Sequence, residues 1–266
     1  MNHPLKRLIP SLAVLAFALT TNARAADKTN VLHKTLAGIN DRFKNVEVEL
    51  VEWPATAHKE FGKLKKIAFM AYPVKKPAGK LPLLISLHGA GGKKMSLARQ
   101  LARSAEVKGL RLAELAGRDL MLLEPNSADN WEAGSLNKML DHVLEKHPEI
   151  DRNRVCVMGH SMGGSGTWAW INDSPARFAA AAPCGFSAGD TGDAERVAKL
   201  PIWCMVGGAD GERTKGIKDL AARLRAAGNK SVKHTEFAGA SHSKANAAVF
   251  SSVKLVDWML GFSREK

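Results

Sequence analysis

Apolar residues fall along this chain in two rhythms that alternate from about residue 46 onward. Unbroken runs at Leu81–Leu87, Leu120–Glu124, Phe178–Pro183 and Pro201–Val206 reserve almost no position for water. They read as strands covered on both faces. Between them lie stretches with a helical period: Ser96–Ala116, broken near Gly109, then Ser135–His147, Thr214–Ala227 and Ala245–Phe262. In Ser135–His147 the apolar positions Leu136, Met139, Leu140, Val143 and Leu144 make one stripe of an amphipathic helix. Val46–Trp53 instead alternates, with Val46, Val48 and Leu50 against Glu47 and Glu49, as an edge strand with one wet face would. Lys66–Tyr72 reads as its hairpin partner, and Ser231–Phe237 as a last strand. Residues 26–45 carry no clear pattern and read as a poorly specified lead-in. Strand–helix alternation of this kind predicts an α/β fold: a mostly parallel central sheet of about eight strands with helices on both faces. No internal repeat divides it, so residues 26–266 are expected to be one domain.

The first 25 residues stand apart. Lys6 and Arg7 precede an apolar run from Leu8 to Leu19, and Ala23-Arg24-Ala25 follows. A charged start, a short apolar centre and an A-x-A site make a signal peptide cleaved after Ala25. The run is too short to span a bilayer, so no stable membrane anchor is expected after cleavage. The expected location is therefore the periplasm or the extracellular medium.

The formal net charge is +13, of which the leader holds three at Lys6, Arg7 and Arg24. A basic exported protein attracts anionic surfaces, polymers or small substrates. No nucleic-acid motif accompanies the lysines, and nucleic acid is not an expected partner. Nine lysines between Lys59 and Lys94 face a single acid, Glu60. Most read as a solvated face, but Lys93 and Lys94 follow a glycine-rich loop where they could draw in an anionic substrate. Cys156, Cys184 and Cys204 each lie in or just after an apolar run and read as buried small side chains, with a Cys184–Cys204 bridge left open. No metal-ligand spacing and no cofactor motif is present.

The chemistry centres on Arg154–Gly164, an apolar strand that runs into Gly159-His160-Ser161-Met162-Gly163 and then a helix. A serine hydroxyl is a weak nucleophile and must be raised out of the sheet to meet a base and oxyanion donors. A sharp strand-to-helix turn does this, and side chains two before and two after the serine would collide. That accounts for Gly159 and Gly163, with Gly164 allowing close helix packing. Leu81–Leu87 ends in His88-Gly89-Ala90-Gly91-Gly92, whose glycines let backbone N–H groups turn into a cavity. Ligands of such sheets bind beyond the carboxyl ends of the strands. Three residues at those ends, Ser161, Asp210 and His242, follow one another in the order nucleophile, acid, base. His242 sits in a glycine and serine loop, free to reach back, whereas His234 lies within a strand. Asp210 closes a full apolar strand, in contrast to its rivals Asp190, Asp193 and Asp219. The backbone N–H groups of Met162 and Ala90 are the expected oxyanion donors. Trp131, His88, Lys93 and His160 are the candidate substrate contacts, Trp131 either as a subsite aromatic or as loop packing.

Leu87–Gly92, Gly159–Gly164 and Gly166-Thr167-Trp168 resemble the secreted α/β-hydrolase esterases, the group of carboxylesterases, feruloyl and acetyl-xylan esterases and polyhydroxybutyrate depolymerases. The resemblance covers about residues 64–262 and implies a serine esterase acting on carboxylic esters, anionic or polymeric among them. Relatives often carry an aromatic residue shortly after the catalytic histidine, where this chain has Ser243-Lys244-Ala245. Two other readings compete. A prolyl-oligopeptidase-like peptidase shares fold and triad but is expected to need a large gating domain. A non-catalytic binding protein on the same scaffold is expected to have lost triad members.

Overall fold

Two of the unbroken apolar runs, Leu81–Leu87 and Leu120–Glu124, lie in the middle of a sheet in the computed structural model, which describes residues 28–75, 77–187 and 192–264. Six strands, β1 (Val46–Glu52), β2 (Ile67–Pro73), β3 (Leu81–Leu87), β4 (Met121–Glu124), β5 (Ile150–His160) and β6 (Ala180–Cys184), lie in the order β1-β2-β4-β3-β5-β6. β3, β4, β5 and β6 run parallel, while β2 is antiparallel to both its neighbours. The central sheet thus holds six strands where about eight were expected. The other two, β7 (Trp203–Gly207) and β8 (Lys233–Phe237), form a separate parallel pair. That pair lies against β6 at the isolated bridge from Ala181 to Ile202, with backbone hydrogen bonds that include Ala181 N–H to Pro201 O at 2.9 Å and Gly185 N–H to Met205 O at 2.9 Å.

Alternation along each strand divides the interior into two cores. Leu83, Ile85 and Leu87 of β3, with Val155 and Val157 of β5, pack with Leu136, Met139 and Leu140 of α5 (Ala133–Lys146) and with Trp170 and Ile171 of α6 (Met162–Asp173). Ile217, Leu220 and Leu224 of α7 (Glu212–Ala226) extend this face. Leu84, Cys156 and Met158 point the other way. There they meet α3 (Leu97–Val107), α4 (Gly109–Ala116) and α9 (Val253–Leu260). Cys184 belongs to this second core and Cys204 to the first, and all three cysteines are free and buried.

Three elements differ from the sequence reading. Residues 28–40 form a helix, α1, whose Leu32 and Ile39 are buried against the second core. Its Asn40 makes paired hydrogen bonds with the backbone of Val48 (2.9 Å each), which covers the edge of β1 as a strand would. The link between β1 and β2 is no tight hairpin but holds a short helix, α2 (Ala55–His58), and the buried Phe61. The terminal helical stretch is broken into α8 (His242–Val249) and α9, where Ser252 caps α9 by accepting from Leu255 N–H at 3.3 Å. The leader expected at residues 1–25 lies outside the described residues, as does Asp190.

Candidate active site

Ser161 joins β5 to α6 with φ +63° and ψ −126°, and among the described residues it is the one non-glycine with positive φ. Such a conformation costs roughly 1–3 kcal/mol and persists where its surroundings hold it. Here its N–H donates to Cys184 O at the end of β6 (3.0 Å). The glycines around it admit no side chain: a Cβ on Gly163 would stand 1.9 Å from Leu87 O, and one on Gly164 2.1 Å from Cys184 O. The turn is therefore wedged between the ends of β3 and β6, with Ser161 on its crest.

The base and acid come from the separate strand pair. The loop after β8 is laid onto the end of β7, where Gly208 N–H donates to Phe237 O (2.8 Å) and Ala209 N–H to Ala240 O (3.0 Å). Gly207 makes this approach possible, since a Cβ there would lie 2.2 Å from Ala240 O. The result sets His242 Nδ1 2.7 Å from Asp210 Oδ2. Thr214 takes over the turn bonding that an aspartate could have supplied, accepting from Asp210 N–H and donating to Gly207 O, which leaves the Asp210 carboxylate to the histidine. Arg213 Nη1 approaches the other oxygen at 3.4 Å. A carboxylate at Nδ1 keeps the proton on that nitrogen and turns Nε2 into the acceptor. His242 is the first residue of α8 and not a loop residue, so its backbone is fixed as well. His234, the rival base, lies in β8 with Nε2 buried and unpartnered.

Ser161 and His242 line one cavity of about 300 Å³, together with the loop His88–Gly92. Gly89 packs over the elbow, its Cβ position 3.6 Å from Ser161 Cβ. Ala90 begins a single 3-10 turn and lines the cavity, while Met162 opens α6, where its N–H has no intrahelical acceptor.

The candidate contacts are distributed unevenly. His88 lines the cavity, but its ring is structural: Nε2 accepts from Ser127 N–H (2.9 Å) and Nδ1 meets Gly89 O (2.9 Å). Burial first, then Lys65 and Lys108, lower its pKa to about 4 against the opposing pull of Gly89 O. His160 lines the cavity with its ring 4.5 Å from that of His242. Burial, followed by the nearby His242, Lys108 and Arg213, lowers its pKa to about 3. It is neutral at working pH and offers a packing face, with Nε2 unpartnered. Together with Asp210 and His242 it brings ligand-type atoms within 4.8 Å of one another, a grouping that contains the acid–base pair itself. Trp131 is 7% exposed and lines no part of the cavity. It is loop packing: Nε1 donates to His88 O (3.0 Å) and its ring fills the space left by Gly166. Lys93 is turned aside and tied to Asp129 (2.9 Å) and Asn130 (3.2 Å).

The sequence reading passed over the opposite wall. Glu124, at the end of β4, is buried and accepts from Ser86 Oγ (2.9 Å), Ser104 Oγ and Gly109 N–H (3.1 Å). Burial raises its pKa, against these donors and Lys108. Lys108 sits at the break between α3 and α4, with Arg103 five residues earlier on α3. All three line the cavity. The one signal available in sequence was the Glu itself, an acid closing an otherwise apolar strand.

Residues 128–188, from the loop of Trp131 through the elbow to the end of β6, match the prolyl oligopeptidase family. No curated protein matches the chain. Solved structures do. A thermostable esterase is 24% identical over 85% of this chain, with a TM-score of 0.64, and the chain spans 64% of that protein's length. An S-formylglutathione hydrolase from Staphylococcus aureus is 17% identical over 82% of this chain and 98% of its own (TM-score 0.60). A feruloyl esterase module from Clostridium thermocellum is 12% identical over 79% and 87% (TM-score 0.59). The chain has the α/β-hydrolase fold. On that fold, a serine at the elbow facing the same cavity as an Asp-tethered histidine is the arrangement of a serine hydrolase.

Proposed function

We propose that the protein is an exported serine esterase that cleaves carboxylic esters through an acyl-enzyme. The observation that carries this reading is the strained Ser161 sharing its cavity with His242, itself tied to Asp210. His242 Nε2 takes the Ser161 proton as Oγ attacks the ester carbonyl. Asp210 holds the tautomer and stabilises the imidazolium. The oxyanion is met by the N–H groups of Met162 and Ala90, helped by the positive end of α6. His242 then protonates the departing alcohol, and water repeats the sequence on the acyl group. Neighbours named as esterases and as an S-formylglutathione hydrolase support the ester reading, though a neighbour named as a dipeptidyl aminopeptidase IV shares the fold as well.

A second reading, a peptidase, is favoured by the prolyl oligopeptidase match over residues 128–188. A fluorophosphonate probe followed by a panel of acyl esters and peptide amides tests both. Labelling at Ser161 with ester turnover supports the esterase, turnover of amides alone supports the peptidase, and absence of labelling supports a binding protein. Export is read from the amino terminus of protein recovered from a secreting host, expected at Ala26 within a residue or two. An intact Met1 would overturn it.

A further inference from the structure

The wall of the cavity facing α3 and α4 carries charge that the triad does not use. Lys108 is half-buried there, its ammonium held by Asn246 Oδ1 and standing 4.8 Å over the Phe250 ring. Arg103, five residues earlier on α3, is exposed and lines the same cavity. Among the described residues neither takes part in an ion pair. Three other cations nearby are engaged: Lys93 by Asp129, Arg213 by Asp210, and Lys65 by the carbonyls of Gly92 (3.3 Å) and Met95 (3.1 Å), while Lys94 is exposed and does not line the cavity. Burial, reinforced by Arg103 and opposed by Glu124, lowers the pKa of Lys108 to about 8. It is therefore still charged at neutral pH although poorly solvated. Two cations against one acid leave this wall positive whether Glu124 is ionised or not, and the lowered pKa values of His88 and His160 both register Lys108.

We propose that the cavity selects esters bearing a free carboxylate, bound by Lys108 with Arg103 as the outer, solvent-facing partner. The proposal rests on the esterase reading above and names its substrate class. A half-buried ammonium with no carboxylate in direct contact is costly, and a carboxylate arriving beside it recovers that desolvation through a charge-assisted hydrogen bond. A single negative charge balances Lys108 and Arg103 when Glu124 is ionised, and a cavity of about 300 Å³ has room for a small acid. The anion attraction expected at Lys93 is thus relocated to a lysine inside the cavity.

Two measurements test this. In the first, kcat/KM is compared for a monomethyl dicarboxylate such as monomethyl glutarate and for its neutral dimethyl ester. The wild type is expected to prefer the carboxylated ester. Lys108→Met, which keeps an apolar stem over Phe250, should lower kcat/KM for it on the order of 10- to 100-fold, the range of a hydrogen bond to a charged group. The neutral ester should lose less, so that the ratio of the two kcat/KM values falls about tenfold or more. Arg103→Met should act in the same direction by a smaller factor, since its site is open to solvent and salt. In the second, binding of monomethyl glutarate to Ser161→Ala protein is followed by calorimetry, with and without Lys108→Met. This readout needs no turnover. Carboxylate binding that is stronger than dimethyl ester binding and weakens at least tenfold with Lys108→Met supports the proposal. Equal losses on both esters, or no preference for the carboxylate in either measurement, would overturn it. Should Lys108→Met fail to fold, Arg103→Met decides by the same ratio. Carboxylate binding that persists where no ester is cleaved and no fluorophosphonate is taken up would sink the esterase reading alone.

Discussion

Replacing Gly163 by alanine adds one methyl group at the point where the elbow meets β3. The new Cβ would lie 1.9 Å from Leu87 O and 2.8 Å from Leu87 C, whereas ordinary contact begins near 3.4 Å. The obstacle is backbone, so relief requires α6 and the His88 loop to part by about 1.5 Å. Two energies then compete. Overpacking of this kind costs about 1–3 kcal/mol. Alanine returns up to about 1 kcal/mol over glycine as a helix former. The net loss of stability should be about 0–3 kcal/mol, or up to several degrees in Tm for a chain of this size. Catalysis should suffer far more, because a displacement of about 1 Å between nucleophile and oxyanion donors is worth about 10² in rate. The assay is kcat on a short acyl ester beside a thermal melt. Gly38→Ala serves as the control. It lies in α1 with nothing within 4 Å of the added Cβ, and should stabilise by up to about 1 kcal/mol with kcat unchanged. A Gly163→Ala protein with kcat within threefold of wild type would refute the wedged-turn argument.

Ser161→Ala should lower ester turnover by roughly 10⁴ to 10⁶ and abolish fluorophosphonate labelling, with His242→Ala comparable and Asp210→Asn somewhat milder. Near-normal rates in His242→Ala together with loss in His234→Ala would move the base to β8. Acid should destabilise the fold. With folded-state pKa values of about 4 for His88 and about 3 for His160, against about 6.5 unfolded, the unfolded chain binds more protons in that window. Stability is therefore complete above about pH 6.5 and falls on acidification, by about 1 kcal/mol for each histidine at pH 5.5. Glu124, whose raised pKa favours proton uptake by the folded state, offsets part of this. Urea midpoints at pH 7.5 and 5.5 check the sign, and a higher midpoint at pH 5.5 would show it to be wrong.

The strand runs, the elbow and the order of Ser161, Asp210 and His242 were legible because each is a local pattern: an apolar block, a turn that only glycine permits, a residue at a strand end. What was not legible depends on distant partners. Leu32, Leu36 and Ile39 have helical spacing, yet the short segment showed no face until the sheet supplied something to bury it against. The split between α8 and α9 turns on Ser252 as a cap within an otherwise continuous apolar period. The sequence leaves Trp131 between subsite aromatic and loop packing because nothing in its own loop shows that Gly166, 35 positions later, leaves a slot for its ring. Lys93 was assigned a charge free to act, and Asp129 occupies it. Lys108 looked like any surface lysine beside a helix break, since Asn246 and Phe250 reach it only across the fold.

The separation of β7 and β8 from the six-stranded sheet has a mechanical consequence. Nucleophile and oxyanion loop ride on one slab, the acid and base on another. Each slab is cross-tied within itself, and backbone bonds at Ala181 and Gly185, with side-chain ties such as Lys108 to Asn246 and Arg154 to Leu260 O, span the joint. A slight slip there would carry the imidazole away from the serine as a unit, its bond to Asp210 unbroken. The joint, far less conspicuous than any of the three reacting side chains, is thus the alignment screw of the enzyme. Substitutions along Pro201, Ile202 and Met205 would be expected to retune its rate in fine steps.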